Sequence, residues 1–280
     1  MYQLQHASDT STPLRLDDDN PSRPAEAVVA ADLRLEVRWA ESEADVREAQ
    51  RLRHRVFVGE MGARLTVPHG TPAGHDADRF DPFCEHLLVR AIASGDDTGP
   101  VVGTYRLLTP SGAKRAGGGY TDTEFDLSSL AALRPRAVEL GRSCVHPDLR
   151  RGGVILLLWT ALSRFMVSHD LDTMIGCASI ALDRDGDGAE ASALWHRLRR
   201  THLAAEPWTA VPHHPLPLHP ASSADARVVV PPLIKGYLRC GTKVLGAPAF
   251  DAAFNVADLP MMARLEDLPA RFQHGAVSGG

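Results

Sequence analysis

Hydrophobic and polar positions along the chain fall into two periods. Leu35, Val37 and Trp39 alternate with Arg34, Glu36 and Arg38, and Leu33 extends the pattern, as expected for a strand with one buried face. After Ser42, the residues Val46, Ala49, Leu52 and Val56 recur at three-to-four spacing, the buried stripe of a helix. Its other faces carry Arg51, Arg53, Arg55 and Glu60. Residues 67–82 are rich in Gly, Pro and Asp and predict a long loop containing Asp76, Asp78 and Asp81. The apolar runs 86–92 and 101–108 flank a turn-rich stretch and predict an antiparallel hairpin. Residues 123–133 are read as a short helix ended by Pro135.

Residues 137–159, AVELGRSCVHPDLRRGGVILLLW, follow as a strand, a Pro-Asp turn with two arginines and two glycines, and an apolar helix reaching about residue 168. A further strand at 173–181, TMIGCASIA, precedes a helix at 189–204. The Pro- and His-rich stretch 207–232 reads as loop or irregular edge strand. Residues 233–238 read as helix and 243–255 as extended. This alternation predicts a mixed α/β layer structure.

Composition narrows the function classes. The chain has 280 residues, 44% hydrophobic and 23% charged, which is ordinary for a globular protein with a substantial core. A net charge of -5 argues against nucleic-acid binding, which needs a basic surface. The four cysteines are far apart, so neither a zinc site nor a disulfide framework is indicated. Reduced thiols in a cytoplasmic protein are expected. No apolar run reaches the length of about 20 residues needed to span a bilayer, and the polar first residues do not read as a signal peptide. Residues 1–31 read as a mobile arm and 276–280 as a flexible tail, with 32–275 as the folded domain.

The strongest chemical signal is the strand-turn-helix. Unpaired N–H groups at a helix start, the helix dipole and adjacent arginines together form a phosphate or pyrophosphate cradle. Arg150, Arg151, Gly152 and Gly153 supply that pattern, although an ordinary turn with surface arginines would look the same. Glu139 and Arg142 lie three apart on an otherwise apolar strand, where buried charges need a partner or a function. Three weaker signals are set aside. Asp183, Asp185, Asp187 and Gly188 imitate an EF-hand loop, but Leu194 stands at its twelfth position. His213, His214 and His219 lack the spacing and flanking carboxylate of a metal site, so no metal is expected. Cys144 reads as a small buried core residue rather than a nucleophile.

VHPDLRRGGVI resembles the acyl-donor motif of the GNAT superfamily, V-x-P-x-x-R-x-x-G-x-G/A. Val145, Pro147, Arg150 and Gly153 match, while Ile155 stands where the motif has Gly or Ala. RLRHRVFVGEMG, DRFDPFCEHLLV, VGTYRLL, ELGRSCVHPDLR and IGCASI resemble the branch shared by acyl-homoserine-lactone synthases and ornithine-lipid N-acyltransferases. PPLIKGYLRCG, GAPAFD and FNVADL favour the ornithine side. The resemblance implies an α/β GNAT fold, with a mixed twisted central sheet flanked by helices, as a single domain with a C-terminal extension. It implies transfer of a long-chain (3-hydroxy)acyl group from acyl carrier protein to the α-amine of ornithine or a similar amino acid, forming a lyso-aminolipid without a covalent enzyme intermediate.

That chemistry assigns roles to residues. Glu139 is the candidate base for the attacking amine. A bulge at Gly141, with free N–H groups as far as Val145, would stabilise the oxyanion. Arg142 and Arg106 would bind the acceptor carboxylate and Asp78 or Asp81 its amines; an internal ion-pair cluster ordering the long loop is the alternative, and both can hold together. Val145, Arg150, Arg151, Gly152, Gly153 and Val154 would grip the donor. The implied donor is the phosphopantetheine thioester of acyl carrier protein, or acyl-CoA, with no permanently bound cofactor. Because acyl carrier protein is acidic, Arg51, Arg53, Arg55, Arg150 and Arg151 form the expected docking patch. An amphiphilic product makes a peripheral membrane contact conceivable, although no amphipathic anchor is evident. A lactone synthase using S-adenosylmethionine, an acetyl-CoA-dependent GNAT enzyme, and a non-catalytic acyl- or partner-binding protein remain open as other readings.

Overall fold

In the computed structural model, which describes residues 34–96, 98–150, 153–182 and 188–273, the first alternating run forms β1 (Arg34–Trp39) and the three-to-four stripe forms α1 (Glu43–His54). Ser42 caps α1 by accepting the N–H of Asp45 at 3.2 Å. The hairpin is β2 (Glu85–Ile92) with β3 (Val101–Leu108), followed by α2 (Pro110–Ala116), α3 (Thr121–Glu124), β4 (Phe125–Asp126) and β5 (Ala137–Val145). Then come α4 (Val154–Ser168), β6 (Thr173–Ala181), α5 (Ala189–Thr201), β7 (Val211–Pro212), α6 (Pro232–Arg239), β8 (Lys243–Val244), β9 (Ala249–Asp251), β10 (Val256–Arg264) and α7 (Ala270–Gln273). The mobile-arm and tail readings, Arg151, Gly152 and the 183–187 acidic loop lie outside the described residues.

The main sheet runs β1-β2-β3-β5-β6-β10-β8, with β9 also paired to β10. Apolar residues alternate between its faces, so each face has its own helix layer. Leu158, Leu162 and Met166 of α4 pack on Leu87, Val89, Leu107 and Val138. On the opposite face, Ala49, Leu52 and Val56 of the first helical stretch pack on Leu88 and Cys144. The Ala191, Leu194 and Leu198 stripe of α5 covers Ala257 and Leu259.

Two expected elements differ. The helix read at 123–133 is confined to α3; beyond it, Asp126 accepts the N–H of Ser128 at 2.8 Å, a local turn that competes with helix, and β4 pairs with β7 instead. The extended segment read at 243–255 contains only two short strands, while the long strand is β10, VADLPMMAR. Asp258 and Pro260 disguise it, because proline in a central strand argues against strand. The fold accommodates Pro260 because its carbonyl faces Leu245, accepting that N–H at 2.8 Å. The missing donor therefore points to the side where β8 has already ended at Val244, and the ladder to β6 is intact.

The sheet is antiparallel except for one pair. β5 and β6 run parallel, and they pair only over Ala137–Glu139 against Thr173–Ile175. Beyond Glu139 the two strands part. Gly176 sits at the fork, where an added Cβ would lie 2.4 Å from the Leu140 carbonyl oxygen, so no side chain fits there without moving the backbone.

A buried ion-pair network ties the long loop to the layer above the sheet. Arg53 of α1, which has no solvent exposure, donates to Asp76 Oδ2 at 3.0 Å and to Asp81 Oδ1 and Oδ2 at 3.1 and 2.9 Å. Arg106 of β3 donates to Asp78 Oδ1 and Asp81 Oδ1, both at 2.7 Å. Arg142 of β5 donates to Asp78 Oδ2 at 3.0 Å, and its Nε lies 3.3 Å from Asp76 Oδ2. Gln50 adds a bond to Asp81 Oδ2 at 2.9 Å.

Two stability predictions follow from this architecture. Arg53→Met leaves Asp76 and Asp81 buried without their principal cation, and denaturant unfolding should show a loss of about 3–5 kcal/mol; a loss under about 1 kcal/mol would refute the central role of Arg53. Gly176→Ala should lower stability by about 1–3 kcal/mol, because the clash at the fork is with backbone rather than with a movable side chain.

Candidate active site

Glu139 is the last residue of β5 paired with β6, so its carboxylate stands where the cleft opens. It is 9% exposed. Residues 119–121, just ahead of and at the start of α3, wrap around it: the N–H of Thr121 donates to Oε1 at 3.1 Å. A Cβ at Gly119 would come within 1.9 Å of Oε2, so glycine is required there for the backbone to close over the carboxylate. Burial pushes the Glu139 carboxyl up to about 7, while the Thr121 and Tyr120 backbone bonds and the Arg106 charge act against that rise. A carboxylate with this proton affinity exchanges protons near neutral pH.

Three residues further along β5, the strand bulges. Thr104 pairs with Cys144 but Arg106 pairs with Gly141, so Arg142 and Ser143 together face Tyr105. The left-handed position belongs to Arg142, at φ 51°, and not to Gly141 as expected; a Cβ at Gly141 would make only an ordinary contact with Arg106. Non-glycine residues seldom hold this conformation unless surrounding contacts enforce it. Here the Asp76 and Asp78 carboxylates hold the Arg142 guanidinium from one side, and the rings of Tyr120 and Phe254 lie 5.4 and 4.7 Å from it on others. Because β5 has left β6, alternate backbone groups between Gly141 and Cys144 face the cleft without a strand partner.

The acceptor candidates divide by accessibility. Asp81 and Arg106 are buried and satisfied by each other, by Arg53 and by Gln50, so the ion-pair alternative describes their contacts. The arginine charges hold the Asp78 and Asp81 carboxyls below the usual range despite the opposing effect of burial. Asp78 and Arg142 lie at the rim of the network, with side chains 17% and 11% exposed.

The donor candidates sit at the other end of β5. Gly153 caps α4 in the left-handed conformation, φ 80°; the N–H groups of Val154 and Ile155 have no intrahelical acceptor, while that of Leu156 donates to the Gly153 carbonyl at 3.0 Å. Arg150 donates to the Val145 carbonyl at 3.3 Å and pairs with Glu60 at 2.6 Å. The Val154 side chain is 1% exposed and fills the space over Gly103, leaving only its backbone available to a donor, and the partly buried Val145 packs against the same core. The docking patch needs one correction. Arg53 is wholly inside the ion-pair network, whereas Arg51, Arg55 and Arg150 are exposed. Cys144 is buried, and burial pushes its thiol up to about 12, which suits a core residue.

Several residues at this site escaped the sequence reading: Gly119, Tyr120 and Thr121, which cradle Glu139, and Asp251 and Asp258 on β9 and β10. The rule that singled out Glu139, a charge on an apolar strand, would have found Asp258 had β10 been recognised.

Known proteins match this chain in sequence. The family model for the Acetyltransferase (GNAT) domain matches residues 52–160. Over 250 residues, the chain is 38% identical to the L-ornithine N(alpha)-acyltransferase of Agrobacterium fabrum, covering 85% of this chain and 83% of that protein. It is 38% identical over 253 residues to the Brucella abortus protein of the same name, covering 85% of this chain and 87% of that protein. A solved CoA-dependent acyl-homoserine lactone synthase, with SAM and isopentyl-CoA, covers 82% of this chain and 79% of its own at 18% identity and a TM-score of 0.46. By its extended identity to those curated relatives, the chain belongs to the L-ornithine N(alpha)-acyltransferase family of GNAT-fold enzymes.

Proposed function

We propose that this protein transfers a long acyl chain from the phosphopantetheine thioester of acyl carrier protein to the α-amine of ornithine or a closely similar amino acid. The observation that carries the reading is the Glu139 carboxylate, buried at the fork of β5 and β6 with a proton affinity near neutrality. An amine attacks a thioester only after losing a proton, and α-amino groups are largely protonated near pH 7. Glu139 takes that proton, and the nitrogen lone pair so freed bonds to the carbonyl carbon. The tetrahedral intermediate then collapses by breaking the carbon–sulfur bond, the surplus proton on nitrogen passes to the leaving sulfur, and an amide and a free thiol result. Unpartnered backbone N–H groups of β5 would stabilise the developing oxyanion.

The acceptor carboxylate is assigned to Arg142, the least buried of the three arginines in the network, with Asp78 beside it and Arg106 and Asp81 behind as positioning residues. The donor phosphate is assigned to the start of α4 with Gly153, Arg150 and the neighbouring Arg151 and Gly152, the arm running along Val145 and the Val154 backbone. Exposed Arg51, Arg55 and Arg150, with His146 2.6 Å from Arg55, support an acidic carrier protein as the donor's bearer. Among the described residues no helix is long and apolar enough to cross a membrane, and all four thiols are free.

Purified protein incubated with long-chain acyl carrier protein and a panel of amino acids should yield acyl-ornithine by mass spectrometry; no acylated amino acid would overturn the reading. Glu139→Gln should lower kcat/KM by about 10²- to 10⁴-fold. Since the base works only when ionised, wild-type activity should rise as pH increases through about 7, and that limb should vanish in the variant. Charge reversal at Arg55 and Arg150 should raise KM for acyl carrier protein by about tenfold at low salt, less at high salt. A short acyl-CoA donor should be much less affected; equal effects on both donors would refute carrier docking at this patch.

A further inference from the structure

On the face of the sheet that carries Glu139, β6 and β10 hold a second buried carboxylate. The β6–β10 register places Asp258 opposite Ser179, and the Ser179 hydroxyl donates to Asp258 Oδ1 at 2.6 Å. Asp258 is 1% exposed, yet its Oδ2 has no hydrogen-bond partner among the described residues. Burial, then the nearby Asp251 and Glu124, push this carboxyl up to about 7, with the Ser179 bond and the Arg142 charge opposing. The ion pairs of Arg142 are with Asp76 and Asp78 and not with Asp258. Asp251 is likewise occupied: Oδ2 accepts the Tyr120 hydroxyl at 2.7 Å, and Oδ1 accepts the N–H groups of Ala253 and Phe254 at 2.8 and 3.2 Å. Glu124 is half-buried, and its carboxyl is raised by burial and then by Asp251. None of the three makes an ion pair with a described residue. A desolvated carboxylate with an open oxygen and no cation of its own among the described residues is a costly arrangement, relieved when a ligand supplies the charge.

The same residues connect this site to the base. Tyr120 holds Asp251 through its hydroxyl, and the next residue, Thr121, holds Glu139 through its N–H. Thr121 Oγ1 lies 4.0 Å from Cys177 Sγ, between the two carboxylates on β6. Glu139 pairs with Ile175 and Asp258 with Ser179 on opposite sides of β6, so strand rise and strand spacing together put their backbones about 16 Å apart on one face of the sheet, a gap that two acidic side chains and an acceptor held between them would span. An α,ω-diamino acid offers an amine for acylation and a second ammonium on a short methylene arm. We propose that Asp258, flanked by Asp251 and Glu124, is the specificity site that receives the side-chain ammonium of the acceptor while the α-amine lies at Glu139. This inference rests on the amino-acid acyltransfer reading above. Discrimination arises because an acceptor with a neutral side chain leaves Asp258 Oδ2 unpaired in the closed site.

The test compares ornithine with norvaline, which has the same chain length and no terminal ammonium, using acyl carrier protein as donor. Wild type should prefer ornithine in kcat/KM by about a hundredfold or more. In Asp258→Asn that preference should collapse at least about tenfold, with the loss expressed mainly in KM for ornithine. Glu124→Gln, at a half-buried position, should reduce the preference by a smaller factor, and it carries the test if Asp258→Asn does not fold. Equal use of the two acceptors by wild type, or an undiminished preference in the folded variants, overturns the site while leaving acyltransfer intact. Absence of any acylated amino acid with wild type overturns the underlying reading and the site with it.

Discussion

The described structure around the candidate site depends on a charge balance inside the protein. Arg53, Arg106 and Arg142 come from α1, β3 and β5, and Asp76, Asp78 and Asp81 come from one loop. Taken singly, each would be a buried charge costing several kcal/mol. Together they are neutral and almost fully hydrogen-bonded, so a loop with little regular structure is held to fixed positions on three different elements. That fixes Arg142 at the cleft in a backbone conformation that a non-glycine residue seldom holds unaided. The same network therefore orders the loop and positions the one arginine at its rim.

The second constraint is the fork. A parallel pair inserted into an otherwise antiparallel sheet separates after Glu139, and Gly176 lets the backbones approach closely before they diverge. Separation exposes ladder groups that would otherwise be paired, and it does so beside a carboxylate shielded from solvent. The Glu139 carboxylate, the Arg142 guanidinium and unpartnered N–H groups of β5 thus lie on one strand, and the proposed acyl transfer would draw on that preorganisation. The proposed donor side, at the start of α4, and the proposed acceptor side, between α3 and the ion-pair network, lie at opposite ends of the same nine-residue strand.

Glu139 and Asp258 are pushed up to about the same value, about 7, by the same dominant cause, burial, yet their surroundings differ. Glu139 has backbone N–H donors and the nearby Arg106 charge; Asp258 has one hydroxyl and two further carboxylates for neighbours. The first environment suits a group that gains and loses a proton during turnover. The second suits a group that waits for a cation.

The main layers were legible in the chain because burial imposes period on sequence: the hairpin, β5, α4 and β6 follow directly from runs of apolar residues. Glu139 and Arg142 were marked for the same reason, as charged residues on an apolar strand, and Arg150 by the glycine-rich turn that precedes a helix. Local chemistry hid other parts. Asp126 turned a helical pattern into a turn, and Pro260 with Asp258 masked β10. What only the tertiary structure decided was pairing across long separations. Arg53 reads as one of several surface arginines on a helix, and only the loop folding over it makes it a buried keystone. Gly119 and Thr121 carry no signal until β5 brings Glu139 beneath them. By itself the sequence determined which apolar residues must leave water, because that depends on local pattern. Which charges meet once they are inside was decided by the fold, because a buried charge is defined by its partner rather than by its neighbours in the chain.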